Sequence, residues 1–190
     1  MRVPVLTIIA GPNGSGKSTL TSSARETFQQ APVLDPDAII KSLQETIGPN
    51  HSDIEAGRRA LLVAEELISN CQSFTVETTL SGSTYLRMAS RAKAAGFSIM
   101  VIFVGTASVE INIERVKARV EKGGHDVPEE VQRRRYPRTL KNMKRLLPEA
   151  DIAVVLDNSS ESGYVLVAFG RKGKMHWNDP VPEWAANLRR

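Results

Sequence analysis

Cysteine is almost missing from this chain: Cys71 is the only one in 190 residues. No internal disulfide can form, and the expected compartment is the reducing cytoplasm. Long hydrophobic runs are missing too. None approaches the ~18 residues that a membrane-spanning helix needs. The apolar stretch after Pro4 reads as a strand rather than the core of a signal peptide. Histidine occurs three times; His51 and His176 read as surface residues. His125 sits in a glycine loop with no second His or Cys near it to build a metal site. There are no repeats and no low-complexity linker. What remains, 41% hydrophobic and 24% charged residues, is ordinary for a globular protein. One domain over residues 1–190 is expected.

The informative stretch runs from residue 5 to residue 20. Val5-Leu6-Thr7-Ile8-Ile9-Ala10 is apolar and β-branched, as a strand buried on both faces should be. Gly11-Pro12-Asn13-Gly14-Ser15-Gly16-Lys17-Ser18 then fits the phosphate-loop pattern G-x-x-x-x-G-K-S/T. From Thr19 to Phe28 a helix is expected, with Leu20, Ala24 and Phe28 on one stripe. The residue types suit the chemistry. Backbone N–H groups can converge on a triphosphate only if the loop takes conformations that glycine tolerates. Lys17 supplies a point charge for the β- and γ-phosphates, and the Ser18 hydroxyl can ligate Mg²⁺. ATP is therefore expected along residues 11 to 18, with Thr19 at the helix start.

Further along, apolar strands at residues 31–34, 73–77, 97–104 and 152–156 alternate with helices at about 36–47, 53–70, 84–95, 108–121 and 128–147. Two short runs, 164–169 and 174–177, read as a hairpin around Arg171-Lys172-Gly173. Residues 182–190 read as a short helix. The expected fold is α/β, a P-loop kinase type. It has a mostly parallel five-stranded sheet, helices on both faces and a C-terminal hairpin. Ligands in such a sheet lie at the carboxyl ends of the strands.

That rule selects the remaining candidates. Asp37 follows the second strand and could orient an acceptor hydroxyl and take its proton; Asp35-Pro36-Asp37 also suits a plain helix start. Glu77 closes the third strand, ahead of Thr78 and Thr79, and could serve Mg²⁺ or the acceptor. Asn158 and Ser159 follow the fifth strand, where a base-contacting loop can lie. Residues 115–145 hold 11 Lys and Arg against 4 Asp and Glu, which leaves the rest of the chain net negative. This basic segment could be an anion-clamping lid or a nucleic-acid patch. Only Tyr136 interleaves it, which offers little base stacking and argues against nucleic acid. Arg115 and Arg119 from one helix, and Arg133, Arg134 and Arg135 from the next, are the lid candidates.

Together these pieces resemble the zeta-toxin family of P-loop kinases, in its compact bacterial form. The matching residues are Gly11 to Ser18, Asp35-Pro36-Asp37 and Glu77-Thr78-Thr79. Gly123-Gly124-His125-Asp126-Val127-Pro128 and Arg133-Arg134-Arg135-Tyr136 follow in the family's order. The resemblance implies a cytoplasmic kinase that uses ATP and Mg²⁺ and phosphorylates a small-molecule hydroxyl, with the 3′-hydroxyl of UDP-N-acetylglucosamine as the acceptor of better-studied members. It implies Lys17 on phosphate, Asp37 as general base, Glu77 and Thr79 in the acceptor pocket, and Arg119 with Arg134 or a neighbour as lid arginines. It also implies a small helical antitoxin as partner. A kinase of another small metabolite, nucleoside or antibiotic remains the alternative, as does an NTP-dependent nucleic-acid-binding protein.

Overall fold

The computed structural model describes residues 3–23, 31–35 and 53–189. Strand β1, Val5–Ala10, is buried over its last five residues. It pairs in parallel with β3, Phe74–Thr78, on one side and with β4, Ser98–Gly105, on the other. A strand hemmed in this way needs apolar residues on both faces, which is what its sequence supplies. A short β2, Val33–Leu34, lies outside β3, and β5, Ile152–Asp157, lies outside β4, both parallel.

The hairpin is not a separate appendage. Its strands β6, Val165–Arg171, and β7, Lys174–Trp177, continue the sheet in antiparallel fashion from β5. The sheet is thus seven-stranded and mixed, in the order β2-β3-β1-β4-β5-β6-β7. The pairing of β5 with β6 shifts register between Val155 and Leu156.

The described helices are α1, Lys17–Ser23; α2, Asp53–Ser69; α3, Thr84–Ala94; α4, Val109–Glu121; α5, Glu129–Leu146; and α6, Glu183–Arg189. The expected helix at 36–47 lies outside the described residues, as does the far end of the first helix. The core gathers Leu6, Ile8, Phe74, Val76, Ile99, Val101 and Phe103 from the sheet with Met143, Leu146 and Trp184 from α5 and α6. Each such side chain stabilises the fold by about 1.5–3 kcal/mol on burial. Phe74 and Phe97 meet edge to face at 6.1 Å.

The C-terminal helix has a clear anchor. The Trp184 ring lies 5.9 Å from that of Phe103. It sits so close over Gly105 that a Cβ there would be 2.2 Å from it. Its indole N–H donates to Asp157 Oδ1 at 3.0 Å. Among the described residues no helix is long and apolar enough to cross a membrane.

Candidate active site

The loop from Gly11 to Gly16 leaves the carboxyl end of β1. Gly11 and Gly16 have φ of +155° and +101°, values that L side chains rarely adopt. A Cβ at Gly11 would lie 2.2 Å from the Val104 carbonyl oxygen of β4. The loop can therefore nest against the sheet only without a side chain there. Lys17 opens α1 and folds back, its Nζ donating to the Pro12 carbonyl at 2.8 Å. Its side chain is buried, at 8% exposure.

One residue further, Ser18 Oγ donates to Glu77 Oε1 at 2.6 Å. Thr21 Oγ1 is 3.1 Å from Glu77 Oε2 and 3.0 Å from the Lys17 carbonyl. The strand register explains this meeting. Ile9 pairs with Glu77 and Ala10 with Thr78, so the end of β3 stands beside the start of the loop. Ser18 and Glu77 together present two hard oxygens, the donor type that Mg²⁺ prefers. Among the described residues no group of three or more His, Cys, Asp or Glu could hold a metal. A cation bound here would complete its shell with phosphate oxygens and water, its usual habit.

The loop and Glu77 form one side of a cleft of about 1060 Å³. Its opposite side comes from α4, the glycine loop and α5, which contribute Arg115, Arg119, Lys122, His125, Arg134 and Arg135. Arg115 Nη1 donates to the Asn158 carbonyl at 2.6 Å, and Arg119 Nη2 donates to the His125 carbonyl at 2.6 Å. Arg119 Nε is buried without a hydrogen-bond partner. A Cβ at Gly124 would be 2.5 Å from Arg119 Cγ, so this glycine lets the loop close down on the arginine.

Arg133 is different from its two neighbours. It pairs with Glu110 at 2.6 Å and Glu129 at 2.7 Å, bridging α4 and α5 on the exposed side. Its guanidinium holds both carboxyls below their usual range and is itself pushed up by them. Tyr136 donates to the Thr106 carbonyl at 2.7 Å. Burial, followed by the Glu110 charge, pushes its hydroxyl up to about 12, so it stays a neutral donor.

Thr79 also lines the cleft. Its Oγ1 is 3.1 Å from Ser81 Oγ. The following loop is braced from α5. Thr139 Oγ1 donates to the Thr79 carbonyl at 2.7 Å, and Asn142 Nδ2 donates to the carbonyls of Leu80 at 2.8 Å and Gly82 at 3.2 Å. Leu80 is fully buried with φ at +55°. Asp37 lies outside the described residues, while Asp35 is at the cleft wall.

Two side chains near the loop carry more than the sequence suggested. Asn158, which follows the fifth strand where a base-contacting loop can lie, turns its amide to the Ser15 carbonyl at 2.8 Å. Tyr164, read only as the start of a hairpin, donates to the Gly16 carbonyl at 2.7 Å. No local pattern announces either; they lie more than 140 residues from their partners.

A family model described as Zeta toxin matches residues 2–165. The chain belongs to the zeta-toxin family. A protein of Haemophilus influenzae, described as uncharacterized, is 39% identical over 126 residues, covering 66% of this chain and 88% of that protein. Among solved structures, the fold is similar to AvrRxo1-ORF1:-ORF2 with ATP. The TM-score is 0.69 at 17% identity over 93% of this chain, which spans only 61% of that one. It is also similar to the PezAT chromosomal toxin-antitoxin system of Streptococcus pneumoniae. There the TM-score is 0.61 at 16% identity, over 83% of this chain and 70% of that one. A structure called a putative kinase from Chloroflexus aurantiacus matches at a TM-score of 0.55 and 22% identity, over 67% of this chain and 74% of that one. The zeta-toxin family and this fold are those of P-loop kinases.

Proposed function

We propose that the chain transfers the γ-phosphoryl group of ATP to a hydroxyl of a small anionic metabolite, with UDP-N-acetylglucosamine as the first acceptor to test. The observation that carries this reading is the contact of Ser18 with Glu77, at 2.6 Å. It lies in the same cleft as Lys17, Arg119 and Arg134. Backbone N–H groups between Asn13 and Thr19 wrap the β- and γ-phosphates, while that of Gly11 stays on the Thr78 carbonyl at 3.2 Å. Lys17 Nζ exchanges the Pro12 carbonyl for phosphate oxygens. Mg²⁺, when bound, neutralises the phosphate oxygens that gain charge. Ser18 is its protein ligand in this reading, and Glu77 orders its shell.

Asp37 takes the proton of the acceptor hydroxyl as that oxygen bonds to the γ-phosphorus. The bond to the β-phosphate oxygen breaks, and ADP leaves. Arg119 and Arg134 stabilise the charge on the transferring group. Thr79, on the loop held by α5, contacts the acceptor. The reaction takes place in the cytoplasm, where ATP is available. The likeness of the fold to the PezAT toxin-antitoxin system supports a small helical antitoxin as partner.

The test is a mass-spectrometric search for a phosphorylated product after incubation with Mg·ATP and UDP-N-acetylglucosamine. A product heavier by one phosphoryl group, lost in Lys17→Ala, supports the reading. Another phosphorylated metabolite in a cell extract keeps the kinase and replaces the acceptor. ATP binding without transfer to any hydroxyl overturns it.

A further inference from the structure

We infer that Asn158 and Tyr164 are positioning residues that brace the phosphate loop through its carbonyl oxygens. This inference rests on the proposed ATP site. A loop whose N–H groups converge on an anion must turn its carbonyl oxygens outward. Those oxygens need donors, or the peptides that carry them are free to rotate and take their N–H groups off the phosphate.

At Ser15 the donor is the Asn158 side-chain amide, at 2.8 Å. At Gly16 the carbonyl accepts from Leu20 N–H at 3.0 Å, within the first turn of α1, and from Tyr164 OH at 2.7 Å. Leu20 ties the loop to its own helix. Asn158 and Tyr164 tie it to the β5–β6 connection, across the sheet.

Asn158 is itself fixed on three sides. Its N–H donates to the Gly105 carbonyl at 2.9 Å, and its carbonyl accepts from Arg115 at 2.6 Å. Its amide fills the space a side chain at position 16 would occupy. A Cβ on Gly16 would be 2.5 Å from Asn158 Nδ2 and 3.1 Å from Tyr164 OH. The glycine at position 16 thus makes room for the brace as well as bending the loop. Arg115, through Asn158, joins the basic helix to the phosphate loop.

The experiment compares ATP, inorganic tripolyphosphate and adenosine by titration calorimetry or competition, with thermal melting as the control for folding. Tyr164→Phe removes one hydroxyl and keeps the ring; Asn158→Ala removes the amide. The expected result is a loss of affinity of about threefold to tenfold per variant for both ATP and tripolyphosphate, with adenosine unchanged. The smaller loss is expected for Tyr164→Phe, because Leu20 still holds Gly16.

If Asn158 reads the base instead, its variant loses ATP and adenosine while tripolyphosphate is unchanged, and the brace is wrong. Full affinity for all three ligands in both variants also overturns it, leaving the ATP site intact. Wild-type protein that binds neither ATP nor tripolyphosphate removes the site and the brace together. Should Asn158→Ala fail to fold, Tyr164→Phe decides alone.

Discussion

Glu77 presents both carboxylate oxygens to hydroxyls, one on Ser18 and one on Thr21. At 6% exposure a charge so placed is held by those hydroxyls and by whatever cation joins them. Glu77→Gln keeps the size and removes the charge. It should raise the Mg²⁺ concentration needed for half-maximal turnover by about tenfold to a hundredfold, while ATP affinity measured in EDTA is kept. A loss of ATP affinity without metal would move Glu77 from the cation to the loop. The sequence placed this acid at a strand end but left metal and acceptor open. Which hydroxyls it meets depends on the pairing of Ile9 with Glu77, and one chain's sequence does not state its register. The arginines divide at the same scale. Arg133 spends its guanidinium on Glu110 and Glu129, whereas Arg134 faces the cleft. Arg133→Ala should keep turnover within about twofold, because exposed ion pairs contribute little. Arg134→Ala should lower kcat on the order of a hundredfold, the effect of losing one donor to developing charge. Equal effects in the two variants would reject the division.

Helix α5 is the element that unites the two walls of the cleft. Its first half carries Arg134 and Arg135 to the basic side. Its second half sends Thr139 and Asn142 to the carbonyls of the 79–82 loop. The helix was legible from the sequence: Pro128 first, acids in the first turn, Pro148 after the end. Pro137 was passed over, and it ought to break a helix by removing one hydrogen bond to Arg133. Both residues are exposed, so water can serve the freed carbonyl, and burial of Thr139, Asn142, Met143 and Leu146 keeps the helix going. The brace on the loop was not legible, since it joins residues about 60 positions apart. Its energetic weight can be measured. Asn142→Leu leaves the carbonyl of buried Leu80 without its side-chain donor, which should cost about 1–3 kcal/mol in urea denaturation. Nucleotide affinity should be nearly kept, since the Asn142 amide bonds to the carbonyls of Leu80 and Gly82 and not to the phosphate loop. A variant as stable as wild type would show that water replaces the amide, and the loop would then not depend on α5.

At the scale of the molecule, charge and topology act together. Five parallel strands and a phosphate loop could be read from apolar runs and glycine spacing. The order β2-β3-β1-β4-β5, and the antiparallel extension beyond it, could not, because both follow from packing between distant segments. That order directs the carboxyl ends of β1, β3, β4 and β5 to one side. It brings Lys17 and cations of the basic segment 115–145 to one cleft. Among the described residues lining the cleft are Lys17, Arg115, Arg119, Lys122, Arg134 and Arg135, opposed by Asp35, Glu77 and Asp126. The net formal charge of the whole chain is +4, and this cleft wall accounts for most of that excess. A concave basic wall in low-dielectric surroundings focuses its field on a small polyanion. A flat nucleic-acid surface would spread the same charge along a duplex. The two arrangements respond differently to salt. Raising KCl from about 50 to about 500 mM shortens the screening length from about 14 to about 4 Å. The association rate of a fluorescent ATP analogue in stopped flow should then fall severalfold, with its dissociation rate changed much less. Duplex DNA added at low salt should leave that association rate untouched. If DNA instead competes with the analogue, and does so less as salt rises, the basic helices face outward to a phosphodiester backbone and not inward to the nucleotide.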